Sequence, residues 1–155
     1  MKKKIYLDNN ATTPTDPAVV EAMTPYFLDK FGNASSRNHY FGWEAQDAVE
    51  NSRRLISNEL NCRSREVVFT SGATEGITLA IKGFCERNKD KGSHIITQVT
   101  EHKAVLDTCS EMEKNGWTVT FLPVENDGRV SPERINDSIN KQTVLISIMH
   151  ANNEI

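Results

Sequence analysis

Residues 93–124, SHIITQVTEHKAVLDTCSEMEKNGWTVTFLPV, change their hydrophobic period twice. SHIIT is a short apolar run of strand character. HKAVLDTCSEMEKNG spaces its apolar residues as a helix does and stops at Gly116, and WTVTFLPV returns to strand character. The stretch predicts strand, helix, strand. Two strands joined through a helix pair in parallel, because the chain must cross over before it can run the same way again.

The same alternation extends outward in both directions. Upstream, EVVFT (66–70) reads as a strand, and GATEGITLAIKGFCERNKDKG as a helix stopped by Gly92. Downstream, SPERINDSINKQ reads as a helix opened by Ser131 and Pro132, and TVLISIM as a strand. Four strands separated by helices predict an α/β fold, a mainly parallel sheet with flanking helices. Strands covered on both faces explain the unbroken apolar runs in VLISIM and HIIT.

The amino-terminal region is different. A short strand is expected at Ile5 to Leu7, then a helix from about Asp16 with Pro17 in its first turn. Pro25 is expected to interrupt that helix and Gly32-Asn33 to end it. FGWEAQDAVENSRRLISNELN predicts a long helix burying Trp43, Ala48, Leu55, Ile56 and Leu60. The expected division is an amino-terminal segment 1–15, a helical part 16–62 and the α/β part 63–155.

Composition excludes several classes of function. The chain has 155 residues and a net charge of −3, which offers no basic excess for a nucleic-acid backbone. Its one basic run, Lys2-Lys3-Lys4, reads as a solvated terminus. No apolar stretch has the length of a membrane span, and no signal-peptide segment opens the chain. Cys62, Cys85 and Cys109 are widely spaced and odd in number, which argues against a disulfide framework and a zinc site and suits a cytoplasmic protein. No metal site is expected.

Three segments carry candidate chemistry, each just after a strand of the expected sheet. Ser71-Gly72-Ala73-Thr74 opens a helix whose amino terminus suits a phosphate, although the same residues also make an ordinary capped turn. Thr100-Glu101-His102 opens the next helix, where His102 either faces solvent or serves a flat ligand and its protons. HANNEI (150–155) ends the chain with Asn153, an amide that donates and accepts at once or simply forms a turn. Their position on one edge of one parallel sheet favours a common site for a phosphorylated, planar ligand. GNASSRNHYFG, with Arg37 and His39, reads equally as an anion-binding loop or as a linker.

In combination, YLDNNATTP, FGNASSRNHYFG, VVFTSGATEGITLAIKG, HIITQVTEHKAVLDTC and VLISIMHANNEI resemble the cysteine desulfurases, pyridoxal-phosphate enzymes related to the class V aminotransferases. The wording is closer to the iron–sulfur-cluster type than to selenocysteine lyases. The resemblance implies the large domain of a fold-type I pyridoxal-phosphate transferase, incomplete in this chain. It implies conversion of L-cysteine to L-alanine, with sulfur passed to an enzyme cysteine as a persulfide for iron–sulfur cluster and thio-cofactor synthesis. It assigns Ala73 and Thr74 to the cofactor phosphate, His102 to the pyridine ring and proton transfer, and Asn153 to the phenolic oxygen and substrate. It also implies a homodimer that serves iron–sulfur scaffold and other sulfur-acceptor proteins.

The sequence departs from the family in two short places. Asn33-Ala34-Ser35 stands where GNPxS is common, and Glu75-Gly76-Ile77-Thr78 where ES-x-N is common. The family's Schiff-base lysine and sulfur-accepting cysteine match none of Lys82, Lys103, Cys62, Cys85 and Cys109. The chain is therefore expected to be the amino-terminal portion of a longer enzyme, or one piece of an enzyme completed by a second polypeptide. The alternatives are an inactive fragment that binds a partner and a related enzyme such as a selenocysteine lyase. Alone, the chain is expected to be inactive.

Overall fold

The computed structural model describes residues 4–155; Lys2 and Lys3 of the basic run lie outside them. The chain divides into two compact units, Met1–Phe69 and Thr70–Ile155.

In the first unit, α1 (Pro17–Leu28) begins as the sequence predicts. Asp16 accepts the Ala18 amide at 2.8 Å, and Pro17 takes the first turn. Pro25 is accommodated inside the helix, and its carbonyl accepts the amides of Asp29 and Lys30. The helix ends at Leu28 rather than at Gly32-Asn33. Gly32 answers a different need: a Cβ there would lie 2.0 Å from the Phe41 carbonyl oxygen. The α2 helix (Tyr40–Glu59) is capped by His39, whose Nδ1 accepts the Gly42 amide at 3.3 Å.

Two expectations for this unit fail. The residues that α2 buries are Gly42, Ala45 and Ser57, whereas Trp43, Leu55, Ile56 and Leu60 are exposed and Ala48 is half-buried. Periodicity identifies an apolar stripe but does not supply the element that covers it. Neither Ile5–Leu7 nor residues 66–70 form a strand. The backbone of Val67 is engaged elsewhere, its amide on the Ser64 carbonyl and its carbonyl on the Arg53 guanidinium. Arg53 also lies over the Phe69 ring, 4.8 Å from its centre. At the amino terminus the Tyr6 hydroxyl donates to the carbonyls of Asp8 and Thr12, which closes a turn in place of a ladder.

The second unit runs α3 (Ala73–Asn88), β1 (His94–Gln98), α4 (Lys103–Lys114), β2 (Thr118–Leu122), α5 (Pro132–Ser138) and β3 (Thr143–Ile146). Its sheet has the order β2-β1-β3, and both pairings are parallel. All five residues of the central β1 are buried, as the unbroken apolar run predicts. Ile81 and Cys85 of α3, Val105, Cys109 and Met112 of α4, Ile95 and Trp117 make one core. Burial pushes the Cys85 and Cys109 thiols up to about 11. Both therefore remain protonated and act as small apolar groups. The α5 helix is capped by Ser131 as expected but stops at Ser138, short of Gln142. There the Asn140 side chain accepts the Gln142 amide and the Thr143 hydroxyl accepts the Asn140 amide, so local side-chain bonds replace the next helical turn. No described helix is long and apolar enough to cross a membrane.

His94 joins all three strands at the amino-terminal edge of the sheet. Its Nδ1 receives the Asn140 amide at 3.1 Å and lies 2.8 Å from the Thr143 hydroxyl, and its Nε2 lies 2.8 Å from the Thr120 hydroxyl. An amide donor facing Nδ1 places the proton of the neutral ring on Nε2. Burial lowers the His94 pKa below the ordinary histidine value. Between the folded and unfolded pKa values the unfolded chain holds more protons, so stability rises with pH in that window. The stabilisation is complete above the unfolded value of about 6.5 and is lost as pH falls towards the lower folded value. Urea midpoints are expected to fall on acidification from pH 7, and His94→Gln, less stable at pH 7, is expected to lose that part of the slope. Glu101, whose pKa burial raises, contributes with the opposite sign, so the comparison with the variant is what isolates His94.

Candidate functional site

A parallel sheet of order β2-β1-β3 reverses its winding direction at β1. Beyond the carboxyl ends of β1 and β3 the following loops diverge, which is where open α/β sheets hold ligands. The loop after β1 is Val99–His102; the loop after β3 runs from Ser147 to the end of the described chain.

Among the described hydrogen bonds, two hold Ser147 to the end of β1 and two join the loops themselves. The Ser147 amide donates to the Ile96 carbonyl at 2.9 Å, and the Thr97 hydroxyl donates to the Ser147 carbonyl at 2.9 Å. Further out, the Met149 amide donates to Glu101 Oε1 at 2.5 Å, and Asn152 Nδ2 donates to the Thr100 carbonyl at 2.9 Å. The residues of the outer two bonds border a cavity of about 300 Å³ walled by Thr100, Glu101, His102, Asn152 and Asn153 among others. This lies at the lower end of small-ligand sites.

His102 is exposed in that wall. It is the N-cap of α4, with Nδ1 accepting the Ala104 amide at 3.1 Å. A ring that accepts through Nδ1 carries its neutral-form proton on Nε2, the nitrogen that α4 leaves unused. Asn153, also exposed, lines the same cavity. Two of the expected site residues, far apart in sequence, are thus brought together. Lys103 reaches the cavity edge but is held by Asp107 at 2.6 Å.

Ala73 and Thr74 occupy the exposed first turn of α3 and do not line this cavity. The N-cap of α3 is Gly72, without a side-chain cap, so the turn is not the ordinary capped one that Ser71 to Thr74 could also have made. Glu75 reaches back instead and accepts both the Ser71 amide at 2.6 Å and its hydroxyl at 2.7 Å. These bonds, the amide's first, hold the Glu75 carboxyl below its ordinary pKa. The first intrahelical bond runs from the Gly76 amide to the Gly72 carbonyl, so no carbonyl of the helix takes up the amides that precede it.

Residue-type reasoning did not single out Glu101. It is buried, and burial raises its pKa, opposed by the bond from the Met149 amide. A glutamate at the foot of a helix normally reads as a solvated, dipole-favoured residue, and no local pattern reveals a distant amide that needs it. Thr100 Oγ1, in the same wall, is the one buried side-chain polar atom without a partner among the described residues. Arg37 and His39 lie with Ser35, Ser36 and Asn38 around a separate open cavity of about 440 Å³ in the first unit.

The class-V aminotransferase family matches residues 5–155. The chain is 51% identical over 154 residues to "Cysteine desulfurase IscS" of Anaeromyxobacter sp. (strain Fw109-5), covering 99% of this chain and 38% of that protein. It is 50% identical over 151 residues to the protein of the same name from Rickettsia massiliae (strain Mtu5), covering 97% and 37%. Among solved structures it is similar to a "NIFS-LIKE PROTEIN", with a TM-score of 0.92 and 38% identity over 98% of this chain and 42% of that one. It is also similar to "SspA in complex with cysteine", with a TM-score of 0.86 and 38% identity over 94% and 42%. The chain thus spans about two fifths of the length of the relatives it matches.

Proposed function

The chain belongs to the class-V aminotransferase family, and we propose on that premise that the protein carrying it is a pyridoxal-phosphate-dependent cysteine desulfurase. It converts L-cysteine to L-alanine and passes the sulfur to an enzyme cysteine as a persulfide. The observation that carries this reading is the cavity at the carboxyl edge of the sheet whose wall includes both His102 and Asn153.

The residues fit the cofactor. A cavity wall with an exposed imidazole, an amide and one orphaned buried hydroxyl suits a flat, polar-edged ring. The first turn of α3 offers amides without a side-chain cap, and around Gly72 no atom lies within 4 Å of where a Cβ would stand. Ala73 and Thr74 there suit a phosphate dianion. When bound, pyridoxal phosphate supplies an electron sink for the pair left on the substrate Cα after proton loss. His102 would hold the cofactor ring and would exchange protons through Nε2, while the Ala104 amide on Nδ1 fixes the tautomer. Asn153 would hold the cofactor's phenolic oxygen. Cys85 and Cys109, buried and protonated, take no part in sulfur transfer.

The same reading makes the protein a cytoplasmic homodimer that hands sulfur to iron–sulfur scaffold and other acceptor proteins. Purified as the cell makes it, the protein is expected to bind pyridoxal phosphate and to release equimolar alanine and sulfur from L-cysteine under a thiol reductant. Turnover of selenocysteine with cysteine acting only as an inhibitor would replace this reading with a selenocysteine lyase. No turnover of either amino acid by cofactor-loaded protein would refute it.

A further inference from the structure

We propose that Glu101 is a positioning residue, a buried carboxylate that fixes the loop after β3 against the loop after β1 and so sets the spacing of Asn153 from His102. The identity of the ligand rests on the function proposed above; the tie itself does not.

The argument starts from cost. A carboxyl buried to 8% exposure is retained only where it is bonded, because desolvating it is expensive. Its pKa lies above the ordinary carboxylate value because of burial, while the Met149 amide pulls it back down. That amide is the only donor to Glu101 among the described hydrogen bonds, at 2.5 Å. The bond spans the two loops at the point where both leave the sheet. On one side Glu101 is covalently next to His102. On the other, Met149 begins the segment that carries Asn152 and Asn153, and Met149 is itself in the cavity wall.

The other ties cannot take over this task. The Ile96–Ser147 bond extends the ladder by one residue and the Thr97 hydroxyl holds that same residue, so both act before Met149 is reached. The Asn152–Thr100 bond joins neutral groups, both of them only half-buried. A charged acceptor on a backbone amide is the strong kind of hydrogen bond, and Glu101 provides the one such bond between these loops.

The test uses the full protein with Glu101→Ala, Glu101→Asp and Glu101→Gln. Two quantities are read: amide hydrogen exchange at Met149 without cofactor, and the dissociation constant of pyridoxal phosphate. Glutamine keeps an oxygen at the same reach, whereas aspartate keeps the charge but falls one methylene short. Glu101→Ala and Glu101→Asp are expected to speed Met149 exchange about 10- to 100-fold, the size of a lost bond to a charged acceptor. Both are also expected to weaken cofactor binding about 10-fold, while Glu101→Gln, which keeps the oxygen in place but not the charge, falls between them and the parent on both counts. If the alanine variant does not fold, the contrast of aspartate with glutamine decides. Met149 exchange unchanged in Glu101→Asp, or cofactor binding as weak in glutamine as in aspartate, overturns the proposal. So does a fall in melting temperature with neither quantity altered. Failure of the parent protein to bind pyridoxal phosphate refutes the proposed function instead, and Met149 exchange then decides the tie alone.

Discussion

Turnover of L-cysteine is expected to fall about 10²- to 10⁴-fold in His102→Ala, the range associated with losing a positioned acid–base group. The absorption band of the bound cofactor is expected to shift as well. The same substitution removes the N-cap of α4, since His102 Nδ1 accepts the Ala104 amide, and that loss costs about 1 kcal/mol of stability. The two effects separate in His102→Asn. Asparagine is among the best N-cap residues, so this variant should melt close to the parent while remaining as inactive as His102→Ala. Stopped-flow spectra and alanine release measure the chemistry, and thermal melts measure the cap. Normal activity in His102→Asn would show that the imidazole serves the helix alone.

The second large effect is on the fold. Gly92→Ala is expected to cost about 3 kcal/mol or more, at the upper end of overpacking penalties. A Cβ at Gly92 would stand 2.3 Å from the Gln142 carbonyl oxygen and 2.7 Å from its carbonyl carbon and Cα. All three are backbone atoms, so no rotamer change relieves the clash. Gln142 also accepts the His94 amide at 2.9 Å, and moving it displaces the entry to β3. The contrast is Gly83→Ala in α3, where no atom lies within 4 Å of the added carbon. There alanine should stabilise by about 0.5–1 kcal/mol, the ordinary gain over glycine inside a helix. Urea midpoints of the three proteins should therefore rank Gly83→Ala first, the parent next and Gly92→Ala last.

What the sequence disclosed was mostly local. Asp16-Pro17, Ser131-Pro132 and Gly116 punctuate helices by chemistry confined to a few residues, and each acts as its type predicts; Gly92 does not, since α3 ends at Asn88 and the glycine instead makes room for the Gln142 backbone. The parallel core strands were legible because β1 is buried on both faces and reads as an unbroken apolar run. Residues 66–70 have the composition of a strand, but composition cannot provide a ladder, and their backbone bonds go to Ser64 and Arg53. The stripe of Trp43, Leu55, Ile56 and Leu60 failed for a related reason: an apolar face states a need for cover without naming what meets it. His102 and Asn153 could be singled out because their side-chain chemistry is distinctive and both follow strands, and the fold brings both to one cavity wall. Glu101 was missed because its partner is an amide 48 positions away, and only the folded chain reveals that distance to be 2.5 Å.

The order of the strands has a thermodynamic consequence. β1 and β2 are joined by a single intervening helix, whereas β3 reaches β1 only after the chain has passed β2 and α5. The two walls of the cavity therefore exist as a pair only in molecules whose last strand has docked. A small molecule that touches both His102 and Asn153 discriminates completely between docked and undocked chains, and mass action converts its affinity into stability. At a free concentration one hundred times its dissociation constant, such a molecule adds about 2.7 kcal/mol. Occupancy of the cavity and attachment of the last strand therefore reinforce one another.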